Sequence, residues 1–244
     1  MKWVRGEGPG GLEWLCPDWP VPAGFCTAWA QPEGAHWEGE AMQRACEGVA
    51  IAAGLGGLEW ATLRQIHSTE IKEAKGGGCL GEADGLWTGQ PGVALAIQTA
   101  DCVPLLLMDK GLRRVAAVHA GWRGVWGGIV QLQLQLWLRG GTQPKDIEIA
   151  LGPSIGPCCY EVDEEMGRRF AQRWGEGVIS KPRGMPKPRL HLAEALRLEL
   201  LSLGLASSQV EAAGVCTFCD RRFHSYRREG GRAGRQLSWV VCRF

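Results

Sequence analysis

The 244-residue sequence predicts an α+β fold with mixed sheets, and three observations lead there. Short apolar runs of strand length recur at 93–97, 103–108, 114–119, 147–151, 210–215 and 236–241. Longer stretches with helical character stand among them, at 40–55, 125–138, 163–174 and 190–203. The two kinds do not alternate strictly, so the pattern is not the βαβ repeat of a wholly parallel sheet.

Taken in order, residues 1–35 are rich in Gly, Pro and Trp and read as short strands and loops. EAMQRACEGVAIAAGL, 40–55, runs into glycines and reads as a helix with a glycine stop. TLRQIHSTEIKEA, 62–74, reads as strand-turn-strand. The glycines at 76–78 form a turn, and GEADGLWTGQPG, 81–92, reads as loop. Residues 93–97, 103–108 and 114–119 are continuous apolar runs, as buried strands require. VWGGIVQLQLQLWL, 125–138, predicts a helix starting just after Gly124. That places Gly121, Trp122 and Arg123 at a strand-to-helix junction. The strand at 147–151 feeds GPSIGPCCYEV, whose two Gly-Pro pairs fix its path. A helix over 163–174, a three-proline exposed loop over 181–189 and an amphipathic helix over 190–203 follow. A late strand, 210–215, precedes CTFCDRRFHSYRREG, and 236–241 is the final strand. With no internal repeat and no low-complexity linker, 1–244 reads as a single domain.

Hydrophobic residues at 45% and charged residues at 22% suit a chain that buries a real core. Net charge is +1, so no global field points to nucleic acid or to a membrane partner. No apolar stretch approaches the roughly 20 residues of a spanning helix, and the N-terminus lacks a signal-peptide apolar region. The expected location is cytoplasmic. The ten cysteines are then reduced thiols or metal ligands rather than a disulfide framework.

The chain has five histidines, and two of them, His67 and His119, stand with Cys102 at predicted strand ends. There side chains can converge. One reading is a zinc site: three protein ligands leave a fourth position open for water or substrate. A second uses Cys102 as nucleophile and His119 as its base, with Asp101 orienting or tuning them. The bland reading makes Cys102 a small core residue, each histidine a bonded structural group and Asp101 a turn residue holding backbone amides. Arg123 stands where a guanidinium and backbone amides meet an anion, or packs on Trp122 or Trp126. Arg64, three residues before His67, is placed to face the same cavity. Cys158, Cys159, Cys216 and Cys219 supply enough thiolates for a structural zinc, though vicinal cysteines make poor paired ligands. Tyr226, Arg227 and Arg228 form a clamp for an anionic or aromatic ligand, or a solvated turn.

RQIHS, ADGLWT, QTADCVPLLL, AAVHAGWRG, LGPSIGPCCYEV and HSYRREGGRAG resemble, in this order, the signature segments of the YfiH family, the laccase-domain or polyphenol-oxidase-like proteins. The resemblance runs from about residue 63 to 234, and residues 1–60 diverge. It implies a layered α/β/β/α sandwich similar to toxin-type cysteine hydrolases. It implies zinc held by His67, Cys102 and His119. The activity it implies is phosphorolysis of adenosine, inosine, guanosine and methylthioadenosine, with deamination of adenosine. The partners would be a nucleoside and phosphate. On this reading Cys102, His119 and Asp101 are the catalytic set, while Arg123, Arg64, Asp84, Tyr226 and Arg227 bind substrate or phosphate. Asp101 or Asp84 is expected to assist proton transfer.

Family members are also described as copper-dependent polyphenol oxidases and as peptidoglycan editing factors, so a Cys-His amidohydrolase acting on a peptidoglycan precursor is the alternative. Five histidines fall short of a multicopper set, and one Cys-His-His site suits zinc better than copper. The sequence departs from the family pattern at GFCTAWAQ, which lacks an arginine, at FHSYRR, which places His224 where phenylalanine is usual, and at HLAEA.

Overall fold

The computed structural model describes residues 3–8, 12–28, 39–181 and 184–243. The expectations for 29–35 and the end of GFCTAWAQ lie outside the described residues, as do His36 and part of the proline loop. Strands β1 (Trp3–Glu7), β2 (Glu13–Pro17) and β3 (Ala23–Cys26) precede helix α1 (Glu40–Ala52). Then come β4 (Glu59–Arg64), β5 (Ile71–Glu73), β6 (Gly78–Glu82) and β7 (Gly85–Thr88). The central strands are β8 (Val93–Thr99), β9 (Val103–Asp109) and β10 (Arg114–Ala120). Helices α2 (Trp122–Gly127) and α3 (Ile129–Arg139), strand β11 (Ile147–Leu151) and helix α4 (Glu164–Trp174) follow. The chain continues through β12 (Ile179–Ser180), β13 (Arg189–Leu190), α5 (Leu192–Ser202), β14 (Val210–Ala212), α6 (Tyr226–Glu229) and β15 (Gln236–Val241).

The strands make two large mixed sheets and a small ribbon. One sheet has the order β1-β2-β3-β15-β8-β4-β6, the other β14-β11-β9-β10-β7-β5. Most pairs are antiparallel, while β4 runs parallel to β8 and β6, β11 to β14 and β5 to β7. Alternation along the strands builds the layers. Val103, Leu105 and Leu107 of β9 share a core with Val125, Ile129, Leu134 and Leu196 on the helices. Leu106 and Met108, which alternate with them, face Leu95 and Ile97 of the other sheet. Ala94 and Ala96 of β8 turn the opposite way, to Met42, Cys46 and Val49 of α1. The order is therefore helix, sheet, sheet, helix, and the expected layered α+β architecture is found.

Several expectations shift in detail. The strands read from 62–74 exist, but β4 and β5 belong to different sheets. The stretch 81–92, expected as loop, carries the end of β6 and all of β7. Gly85 serves that strand by its size, since a Cβ there would stand 2.9 Å from Ile71 Cγ1 on the adjoining strand. The helix expected at 125–138 starts earlier, at Trp122, and is broken by Gly128 at φ 78°. The late strand ends at Ala212, before Gly214 turns the chain at φ 66°. Helix α4 starts as read, with the Asp163 carboxylate accepting the Met166 amide at 2.7 Å.

Candidate metal centre and cavity

Two of the chain's passages between the sheets meet at one end of the structure. Residues 100–102 lead from β8 to β9, and residues 65–70 lead from β4 to β5. Each crossing holds a non-glycine residue at positive φ: Asp101 at 84° and His67 at 59°. Such backbone is costly and persists where its surroundings fix it. In the antiparallel pair β9 and β10, Ala120 lies opposite Val103 and His119 opposite Pro104. Cys102 therefore meets the end of β10, and the second crossing delivers His67 beside both.

The Cys102 Sγ, a His67 ring nitrogen and a His119 ring nitrogen lie within 4.8 Å of one another. Cys102 Sγ is 3.9 Å from His67 Nε2, and the two imidazoles meet edge to face at 4.8 Å between centroids. His119 Nδ1 is 2.7 Å from Asp84 Oδ1. A carboxylate accepts only, so Nδ1 donates and Nε2 is left as the ligand atom. Tetrahedral zinc with one sulfur and two nitrogen ligands would space them roughly 3.3–3.6 Å apart. The trio needs a small contraction to fit, and its donor set is one that zinc favours.

Asp84 grips the site from behind. It is fully buried and also accepts the amides of Ile66, His67 and Ser68 and the Ser68 hydroxyl. Burial alone would raise its pKa, but the bonds from His119 and Ser68 outweigh it and hold the carboxyl down at about 2. Burial likewise opposes charge on Cys102, yet the adjacent His119 and His67 pull the thiol down to about 6. On His119 burial is overcome by the Cys102 sulfur and the Asp84 carboxylate, which push the imidazole up to about 9.

The trio opens on a cavity of about 460 Å³. Four arginines reach it: Arg64, Arg123, Arg227 and Arg235. Arg64 pairs with Glu82 at 2.5 Å, Arg123 stacks over the Trp122 ring at 4.6 Å, and Arg227 over Tyr160 at 5.2 Å. Trp122, Tyr160 and Tyr226 supply the aromatic faces. Burial, then the nearby Cys102 sulfur, push the Tyr160 phenol up to about 12, so it remains a neutral donor. Of the residues expected at the site, His67, Cys102, His119, Asp101, Arg64, Arg123, Tyr226 and Arg227 line this cavity. Asp84 does not: it sits behind His119, out of reach of a ligand. Arg123, expected in the junction before a helix, lies in the first turn of α2.

Asp101 reaches the cavity edge, but its carboxylate is committed elsewhere. It accepts from the Thr217 hydroxyl at 2.6 Å, the Ser225 hydroxyl at 3.1 Å and the Arg227 amide at 2.7 Å. Its carbonyl accepts the Ile155 amide at 2.9 Å. Residues to which the sequence reading gives no role at the site also shape it: Tyr160, Arg235, Thr217, Ser225 and Gly121. For Gly121 and Tyr160 the available signal was position, within HAGWRG and beside Cys158-Cys159. The four thiols of Cys158, Cys159, Cys216 and Cys219 also converge, as a separate group.

Comparison with known proteins places this arrangement. A family model described as multi-copper polyphenol oxidoreductase laccase matches residues 38–243. The purine nucleoside phosphorylase YlmD of Geobacillus stearothermophilus is 36% identical over 202 residues, covering 74% of this chain and 71% of that protein. A purine nucleoside phosphorylase of Pseudomonas aeruginosa is 33% identical over 250 residues, covering 93% and 97%. The crystal structure of a hypothetical protein YfiH from Bacillus licheniformis aligns with a TM-score of 0.81 at 28% identity, covering 91% and 92%. The chain is therefore a member of this laccase-domain family, alongside the YfiH and YlmD proteins that share its fold.

Proposed function

We propose that this chain is a cytoplasmic purine nucleoside phosphorylase that also deaminates adenosine, acting as one unit over residues 1–244 with zinc held by His67, Cys102 and His119. The observation that carries the reading is one cavity that joins an open three-ligand site to four arginines and three aromatic rings. Cations of this kind receive phosphate, and flat aromatic faces receive a purine. Relatives named as purine nucleoside phosphorylases support the reaction class. Adenosine, inosine, guanosine and methylthioadenosine are the proposed substrates.

Phosphorolysis joins an oxygen of hydrogen phosphate to the sugar C1′ while the C1′–N bond breaks, and the purine leaves with the proton that the phosphate gives up. Arg123 and Arg227, each stacked on an aromatic ring, orient the phosphate. Arg235 adds positive charge to the same cavity, as does Arg64, which is paired with Glu82. Trp122 and Tyr226 hold the base. Asp84 fixes the His119 tautomer and the His67 backbone, and Asp101 positions Arg227 and the neighbouring loop. Bound zinc supplies Lewis acidity toward substrate oxygen or water, which is what deamination at the purine C6 needs.

Purified protein incubated with adenosine or inosine, with and without phosphate, tests this. Phosphate-dependent release of free base and sugar phosphate is expected, with ammonia from adenosine. Cys102→Ala should remove both activities. Absence of base and of ammonia overturns the reading.

A second reading rests on a specific observation: Cys102, His119 and Asp84 stand in the order of a cysteine hydrolase triad. That reading goes with the likeness to toxin-type cysteine hydrolases that the family resemblance implies, and with a peptidoglycan precursor as substrate. It requires hydrolysis that survives chelators and is stopped by iodoacetamide at Cys102. A copper oxidase finds less support. Among the described residues the two ligand clusters hold His67 and His119 as their histidines, too few for a multicopper set.

A further inference from the structure

Two loops outside the His67–Cys102–His119 trio each carry a pair of cysteines, at Cys158-Cys159 and Cys216-x-x-Cys219. The fold brings both pairs to one point: the four Sγ atoms lie within 4.8 Å of one another. Cys219 Sγ is 3.3 Å from Cys159 Sγ and 3.6 Å from Cys158 Sγ. Four sulfurs held tetrahedrally at about 2.3 Å from a zinc ion would stand roughly 3.8 Å apart. Core packing does not account for the gathering, because Cys158 and Cys219 are exposed.

Adjacent side chains on a strand point to opposite faces, which makes neighbouring cysteines poor partners there. Here the backbone is a turn. The amides of Cys159 and Tyr160 both donate to the Gly156 carbonyl at 3.0 Å, and the turn lets both thiols reach the cluster. The other pair is arranged as a knuckle. Cys216 Sγ accepts the Gly156 amide at 3.2 Å and also the amides of Phe218 and Cys219. Three amides aimed at one sulfur suit a thiolate, since a neutral thiol is a weak acceptor. Space is kept as well: a Cβ on Gly156 would stand 3.2 Å from Cys216 Cβ and 3.3 Å from Cys158 Sγ. The Arg189 guanidinium donates to the Cys158 carbonyl and sets a positive charge beside the cluster.

We infer that Cys158, Cys159, Cys216 and Cys219 bind a second zinc ion as four thiolates, a structural site distinct from the trio. Binding releases the four thiol protons to solvent and forms four Zn–S bonds, with no change of oxidation state. Every coordination position is filled by protein, so no place remains for substrate. The ion staples two walls of the cavity together. Ile155 and Tyr160 come from the first loop, and Tyr226 and Arg227 follow the second. Thr217, inside the knuckle, holds Asp101.

The test is metal content and thiol accessibility of the full chain, purified under reducing conditions without chelators. Two zinc equivalents per chain are expected in wild type. Cys219→Ser and Cys102→Ala should each lose one, from different sites. Cobalt exchanged into wild type should show the intense visible bands of a tetrahedral tetrathiolate ion. Those bands should persist in Cys102→Ala and vanish in Cys219→Ser. The wild-type spectrum stands even if a variant fails to fold. A single metal equivalent that is lost entirely in Cys102→Ala overturns the inference. So does iron in place of zinc, or an unreduced mass short by the protons lost to disulfides among these four cysteines.

Discussion

At Gly121 the backbone is ordinary, with φ −74° and ψ 173°, so conformation does not demand a glycine there. Space does. A Cβ would stand 2.9 Å from His67 Cδ2 and 3.0 Å from Cys102 Sγ, inside the trio itself. Gly121→Ala should displace His67 or Cys102, with an overpacking cost of about 1–3 kcal/mol. Weakened zinc affinity with the global fold retained is expected, read by chelator competition and circular dichroism; unchanged affinity would refute it. Asp84→Asn acts through the ring behind. An amide can present N–H toward His119 Nδ1 and favour the wrong tautomer, so zinc should bind about 10- to 100-fold more weakly. The same chelator competition checks it. The trio was legible in the sequence because His67, Cys102 and His119 stand at strand ends, and family segments carry all three. Gly121 and the placement of Asp84 were not, since free volume and a partner behind a ring exist only once the sheets have paired.

Two crossings between the sheets carry Cys102 and His67 to the site, and Asp101 holds one of them. Its carboxylate satisfies three donors while its own backbone sits at φ 84°. Asp101→Ala loses those bonds and puts alanine in left-handed backbone where only Gly, Asn or Asp are at ease. A loss of about 3 kcal/mol or more is expected, measured by urea unfolding. Asp101→Asn keeps the conformational tolerance and should cost less. It also separates positioning from proton transfer. A positioning role predicts a raised KM for phosphate with the pH profile of kcat unchanged, and a flattened limb of that profile would show proton transfer instead. Continuous apolar runs made β8, β9, β10, β11 and β15 readable from sequence. The short strand β7 was hidden in a Gly-rich stretch, and the break at Gly128 was hidden because its φ of 78° is invisible in spacing.

Across the whole molecule, acid stability follows from half-buried histidines. Burial pushes His224 below the usual imidazole range; Glu229 at 3.5 Å opposes this, and Arg228 and Arg235 add to it. Burial lowers His191 in the same way. A lowered folded pKa means that the unfolded chain takes up the proton first. The contribution of these two histidines to stability is therefore constant above about pH 6.5 and is lost as pH falls from there through their folded pKa. His224→Phe removes one such group, so its melting temperature should fall less steeply between about pH 7 and pH 5 than that of wild type. Parallel slopes in thermal melts would contradict the account. The layer order was readable from the resemblance, whereas the interleaving of the sheets was not, because it depends on which distant strands pair.

That interleaving bears on how the chain is made. β15 lies between β3 and β8 in the middle of its sheet, pairing six of its residues with β8. A chain growing from its N-terminus therefore produces the two halves of this sheet long before the strand that joins them. Until β15 arrives, Leu95 and Ile97 have no strand on that flank, and the crossing that carries Cys102 hangs from an unfinished edge. During synthesis the nascent chain exposes an unpaired β edge, and the cavity beside Cys102 is among the last features to mature.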